Sequence, residues 1–244
     1  MGPFPSWLLR REHHEPQVEV AGRVLPVVLR RNAQARRMTM RLAPDGSEVR
    51  ITLPRWGRTA EALDFAEKRK GWLAGQLAAV PEPVCFTPES TLPYRGDALP
   101  IRHDPAASRR VRLLEGELHL GGPAESLSQR LKRWLEGEAR ALLEEDLAFY
   151  CQRANQPAQR LMLSNAQRRW GSCSRDGTIR INWRLVMAPD MVRRSVVAHE
   201  VAHLVHFDHS PQFHAMLGEL FEHDIRAANR WLKRHGRQLY ALLG

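Results

Sequence analysis

Two histidines four residues apart, with a glutamate directly after the first, constrain this chain more than any other feature: His199-Glu200-Val201-Ala202-His203. Four residues along an α-helix amount to about 40° of azimuth and one turn of height, so both imidazoles leave the same face. There they can share one tetrahedral zinc ion. Glu200 sits beside that face, placed to take a proton from an activated water. Asp190 reads as the cap of a helix over 191–207, with Val196, Val197, Val201 and Leu204 packing its other faces.

A hydrolytic zinc site needs a third protein ligand and leaves the fourth position open. His209 follows His203 by six residues, which makes the pattern H-E-x-x-H-x5-H. A shuffle of this composition yields the first five residues roughly once in thirty sequences, and the longer pattern roughly once in six hundred. That spacing is the metzincin spacing, but His206 stands where that pattern has glycine. The segment Phe207-Asp208-His209 must then turn the chain back, with Asp208 as a tolerable left-handed residue. His206 competes as a ligand, but three residues past His203 its azimuth points away. His214 and Glu219 are weaker candidates. A structural site would prefer four closed Cys/His ligands and no adjacent base.

Upstream, alternation in 18–30 and 36–53 predicts strands, with a hairpin turning at Pro44-Asp45-Gly46-Ser47. One helix is expected from Thr59, through Ala62, Phe65, Ala66, Trp72 and Leu73. Residues 79–97 carry four prolines and read as a connector. Strands near 98–103, 110–114 and 117–120 follow, with Glu115-Gly116 as a turn. Ser126 or Ser128 is expected to cap a long helix to about Asn155, and 160–185 is a compact strand region turning at 175–177. Ser210-Pro211 opens another helix and Asp224 a last one. No internal repeat is evident. The class is α+β, divided into a tail (1–17), a β-rich region with one helix (18–122) and a helical catalytic domain of zincin type (123–244).

The block Arg169-Trp170-Gly171-Ser172-Cys173 and the strand Ile179-Arg180-Ile181-Asn182-Trp183-Arg184 precede the motif. Ile179, Ile181 and Trp183 should face the core, and Arg180, Asn182 and Arg184 a cleft, where an exposed strand would let a peptide add alongside. Cys173 reads as a buried thiol. Arg169, Trp170, Asn182, His206 and Asp208 are the candidates for touching substrate or supporting the ligands.

Formal net charge is +10. The excess lies in 1–80 (fourteen Lys/Arg against eight Asp/Glu) and in 151–194 (nine against two), while 81–150 is acidic and 195–244 neutral. Such a field attracts nucleic acid, nucleotides or acidic proteins. Three widely spaced cysteines argue against a disulfide framework, and the start lacks an apolar run of signal-peptide length. A cytoplasmic protein without membrane contact is the expectation.

The chain resembles the YgjP-like metallopeptidase-domain family, related to the SprT and WLM metalloproteases. Ala35-Arg36-Arg37, Leu92-Pro93-Tyr94-Arg95-Gly96, Arg169–Cys173, Ile181–Leu185 and HEVAHLVHFDHSPQF from His199 to Phe213 carry the likeness. It implies one zinc on His199, His203 and His209, a catalytic Glu200 and a gluzincin- or metzincin-like scaffold. Asp208 replaces the usual Asn and Phe213-His214 the usual Phe-Trp, changes that bear on substrate preference. A zinc peptidase acting on protein or peptide is the leading expectation. A zinc-dependent nucleotide or phosphoanhydride hydrolase, or a nucleic-acid-associated zinc module cutting bound proteins, are the alternatives.

Overall fold

The computed structural model describes residues 16–80 and 86–243. The expected tail falls almost wholly outside them, as do Pro81, Pro83 and Cys85. The compact units divide at Val80/Pro81, not near residue 122. Strands expected to belong with the amino-terminal region instead pack on the carboxy-terminal core, because Leu92, Leu99, Ile101, Leu118 and Leu120 share one buried cluster with the long helix.

In the first unit, strands β1 (Gln17–Val20), β2 (Arg23–Asn32), β3 (Thr39–Leu42) and β4 (Val49–Pro54) form a sheet of order β1-β2-β4-β3. The hairpin between β3 and β4 forms as expected, and β2 lies parallel to β4. Alternation decides the buried face: Val18, Val20, Leu25, Val27, Val49, Ile51 and Leu53 pack against two helices. Those helices are α1 (Thr59–Glu67) and α2 (Lys70–Ala78), where one was expected. The break is at Arg69, whose φ of −114° and ψ of 18° leave the helical region.

In the second unit, β5 (Thr91–Tyr94), β6 (Asp97–His103), β7 (Arg112–Leu114) and β8 (Glu117–Leu120) repeat that topology in the order β5-β6-β8-β7, with β6 parallel to β8. Part of the expected connector is therefore strand: Pro93 sits in β5 opposite Ala98. The repeat is local in sequence too. Val20-Ala21-Gly22 and Tyr94-Arg95-Gly96 both turn through two residues of positive φ, and Leu25-Pro26-Val27 matches Leu99-Pro100-Ile101 in the same pairing register. The sequence reading without a repeat is corrected on this point.

Helix α3 (Leu127–Arg153) crosses the core on Leu127, Leu131, Leu135, Ala139, Leu143 and Leu147, one stripe at four-residue spacing. Ser126 precedes it but makes no side-chain cap; its hydroxyl bonds back to Pro123. Strands β9 (Leu161–Ser164), β10 (Gly171–Cys173) and β11 (Ile179–Asn182) form a sheet of order β10-β11-β9. A 3₁₀ segment (183–187) leads to α4 (Asp190–Ala202), followed by α5 (Pro211–Leu220) and α6 (Ile225–Ala241). Ser210 accepts from the Phe213 N–H and Asp224 from the Arg226 N–H, so both caps act as expected. No described helix is long and apolar enough to cross a membrane.

Candidate metal centre

Helix α4 is anchored before the motif begins. Asp190 does not cap it; Pro189 holds that place, and the Asp190 carboxylate instead accepts from Arg95 and Arg193. Arg193 also donates to Asp146 at 2.7 Å, with both side chains 3% exposed. The Arg95 and Gly96 N–H groups bond the Val186 and Met187 carbonyls just upstream. The two-residue turn between β5 and β6 thus grips the chain entering α4.

At the other end the helix stops at Ala202, five residues earlier than expected. His203 keeps helical angles as the closing residue, so the four-residue relation to His199 survives. The chain then tightens: Leu204 and Val205 bond back three residues, and the His206 carbonyl receives His203 Nδ1 at 2.9 Å. Donation from Nδ1–H to that carbonyl fixes the tautomer and leaves the His203 Nε2 lone pair free for an ion. His206 therefore contributes its backbone. Asp208 is not left-handed, and its carboxylate accepts from the Ser210 N–H, not from a ligand imidazole.

His199, His203 and His209 present ligand atoms that all lie within 4.8 Å of one another, and no other such group occurs among the described residues. The Nε2 atoms of His203 and His209 are each 3.2 Å from that of His199. Bonds of about 2.0–2.1 Å in a tetrahedron give ligand separations of about 3.3 Å, so the donor set fits a zinc ion. His214 and Glu219 stay outside the group. Phe213, fully buried, underlies all three rings, stacked on His203 at 4.5 Å and edge-on to His199 and His209 at 4.9 and 4.8 Å. Burial, then the neighbouring His203, His209 and His214, push His199 down to about 4, so it is neutral and ready to bind at neutral pH.

Glu200 is only 5% exposed. Burial pushes its carboxyl up to about 7, opposed by the Cys173 N–H, which donates to it, and by the charge of Arg169. Strand β10 runs against it so closely that a Cβ on Gly171 would lie 2.4 Å from Glu200 Oε1. Sequence reasoning gave Gly171 no role of its own and weighed Phe213 only for substrate preference. A glycine inside a strand is the usual sign of close backbone approach, and that signal was present.

The remaining candidates divide. Arg169 is exposed and near enough to act on Glu200. Trp170 packs on Tyr240 at 5.0 Å and over Gly236. Asn182 and Arg184 do not line a cleft; they are 0% and 3% exposed. Asn182 donates to the Ala166 carbonyl and the Tyr240 hydroxyl, and Arg184 lies against the Trp183 and Tyr240 rings. The alternation expected through 184 fails because the strand ends at Asn182 and the 3₁₀ segment turns every following side chain inward. Strand β11 is central, and β10 is an edge. Cys173 is half-buried, not fully buried.

The family model of the YgjP-like metallopeptidase domain matches residues 36–235. The chain belongs to this family. Membership places the protein among metal-dependent peptidases in general terms. No curated protein matches it. Among solved structures, the metallopeptidase zymogen abylysin of Pyrococcus abyssi is similar at 18% identity, over 41% of this chain and 96% of that one, with a TM-score of 0.34.

Proposed function

We propose that this YgjP-like protein is a zinc peptidase of zincin type, with one ion on His199, His203 and His209 and Glu200 as general base. The observation that carries the reading is the convergence of three imidazole nitrogens beside a buried carboxylate. Zinc, when bound, supplies a Lewis acid that polarises a carbonyl and makes water acidic. The chain's own part is to hold and move a proton. Glu200 takes it from the attacking water on a carboxylate oxygen and returns it to the leaving amine nitrogen. The Cys173 N–H fixes the carboxylate's direction, and the low-dielectric wall keeps its basicity high. Arg169 is the cation available to a developing oxyanion, and β10 is an edge strand, which an extended peptide would join on its outer side.

The family match favours the peptidase over the phosphoanhydride reading. Of the nine basic residues in 151–194, Arg184 and Arg193 are buried, and Arg194 pairs with Glu222 and Asp146. Arg193 and Arg194 thus balance acids inside the fold, while Arg153, Arg160, Arg168, Arg169 and Arg175 stay exposed. Purified protein loaded with one equivalent of zinc should cleave members of an unstructured peptide library, and Glu200→Gln should retain zinc and lose at least a hundredfold in kcat/KM. Equal activity of the two proteins would overturn the reading.

A further inference from the structure

The basic segment of the first unit gathers five of its arginines at one place. Strand register fixes where its arginines sit: Asn32 pairs with Pro54 and Thr39 with Thr52. The end of β2, the 33–38 loop and the turn after β4 therefore meet at one end of the first sheet. That end carries Arg30, Arg36, Arg37, Arg55 and Arg58, all exposed, with none in an ion pair among the described residues. The acids among this unit's described residues are elsewhere or engaged. Glu19 pairs with Val24 at the opposite end, Asp45 and Glu48 lie in the opposite turn, and Asp64 and Glu67 pair with Lys68 and Lys70. Of the described acids only Glu61 is near, accepting from the Arg58 N–H.

Amid these cations stands Trp56, 76% exposed. It is not a loose side chain. Pro54–Gly57 is a tight turn closed by the Gly57 N–H on the Pro54 carbonyl at 3.0 Å, with Arg55 and Trp56 at its corners. Arg31 donates from below to the Arg55 and Gly57 carbonyls and pins that turn. Gly57 is buried, and a Cβ there would press on Leu53 and the Pro54 carbonyl. A rigid mount for a bare indole has no role in the core, which closes beneath it on Leu53.

We infer that this end of the first unit binds single-stranded nucleic acid through its phosphates and one stacked base. Guanidinium forks suit phosphate oxygens, and no lysine is among the five cations. An indole face offers a base-stacking platform that an extended acidic peptide cannot use. A membrane surface needs a wider apolar contact than one Trp. The surface is built from residues of the first unit and the metal centre from residues of the second, so its binding is tested independently of the peptidase reading.

The test is fluorescence anisotropy of the full-length protein with labelled twenty-nucleotide oligo-dT, titrated from low to moderate salt. Binding should weaken steeply with salt. Trp56→Ala should weaken it by roughly five- to a hundredfold with little change in salt slope. Arg36→Ala with Arg37→Ala should lower that slope by roughly 1.4, the share of two phosphates on a single strand. Far-UV circular dichroism and zinc content check that both variants fold, and the loop variant keeps the test open if Trp56→Ala does not. The inference is overturned by absence of binding at low salt, or by binding that neither variant changes. It is equally overturned by tighter binding to the matching duplex, or by binding to polyglutamate or phosphatidylglycerol vesicles that oligo-dT does not displace.

Discussion

Gly171→Ala is the sharpest probe of how Glu200 is held. An added Cβ would meet Glu200 Oε1 at 2.4 Å, Cγ at 2.6 Å and Cδ at 2.8 Å, whereas ordinary contact begins near 3.4 Å. About 1 Å of separation must be found, all of it against the proposed base. Gly171 is not among the glycines of positive φ, so alanine brings no backbone strain of its own. Two responses are open. The carboxylate swings away, or β10 retreats, taking the Cys173 N–H from Glu200 and disturbing the pairing of Gly171 with Ile181. Both should cost about 1–3 kcal/mol of stability, the range for overpacking. Both misplace the base by about 1 Å, and a displacement of that size costs on the order of a hundredfold in rate.

The histidine nitrogens lie outside the clash, so metal content should stay at one equivalent. The assay is kcat/KM on a cleaved peptide for zinc-loaded wild type, Gly171→Ala and Glu200→Gln, with Tm and zinc measured on the same samples. Glu200→Gln sets the floor, about 10²–10⁴ below wild type. Gly171→Ala should fall most of the way to it. If Gly171→Ala lowers Tm yet turns over at the wild-type rate, the carboxylate's position does not matter and Glu200 is not the base.

Three further outcomes are expected. His209→Ala should lose stoichiometric zinc while His206→Ala keeps it, since only the His206 carbonyl touches a ligand; metal analysis after dialysis distinguishes them. Phe213→Leu, which removes the ring stacked on His203 but keeps an apolar side chain, should weaken zinc binding about 10–100-fold in chelator competition, and an unchanged affinity would deny the ring any part in orienting the ligands. The third concerns the metal-free protein. Burial raises the Glu200 carboxyl from 4.5 to about 7 in the folded state. Stability from this group is thus fully present below the unfolded value and lost as pH rises through about 7. A shift of about 2.5 units corresponds to about 3 kcal/mol. Metal-free Glu200→Gln should match wild type near pH 4.5 and exceed it by up to about 3 kcal/mol at pH 8 in urea unfolding; parity at pH 8 would contradict the burial argument.

What could be read in the sequence followed from local geometry. The ligands were legible because four residues of helix place two imidazoles together whatever surrounds them, and His203 keeps helical angles even as the helix closes. Caps at Ser210 and Asp224 and the Glu115-Gly116 turn were legible for the same reason. Failures arose where a distant element decides. Periodicity carried 191–207 as one helix, but the bond from His203 to the His206 carbonyl ends it early. Alternation sent Asn182 and Arg184 to a cleft, while Tyr240, 58 residues beyond Asn182, draws both inward. Gly171 matters only because β10 passes Glu200, a contact that no single segment announces.

Net charge shows the same division between local and non-local causes. Counted along the chain, the excess in 151–194 and that in 1–80 look alike. In the fold their pairing differs in part. Arg193 shares Asp146 with Arg194 across two helices, and each of these cations meets an acid that lies outside its own segment in the count. Among the described residues Arg30, Arg36, Arg37, Arg55 and Arg58 meet none in an ion pair, because the register of β1 to β4 places Glu19, Asp45 and Glu48 at the far end. A buried, paired guanidinium contributes little field outside the molecule, whereas unpaired exposed ones add theirs within a Debye length of about 8–10 Å. A basic composition is therefore an argument about partners only for the arginines that folding leaves unneutralised, and five of those surround the pinned turn that carries Trp56.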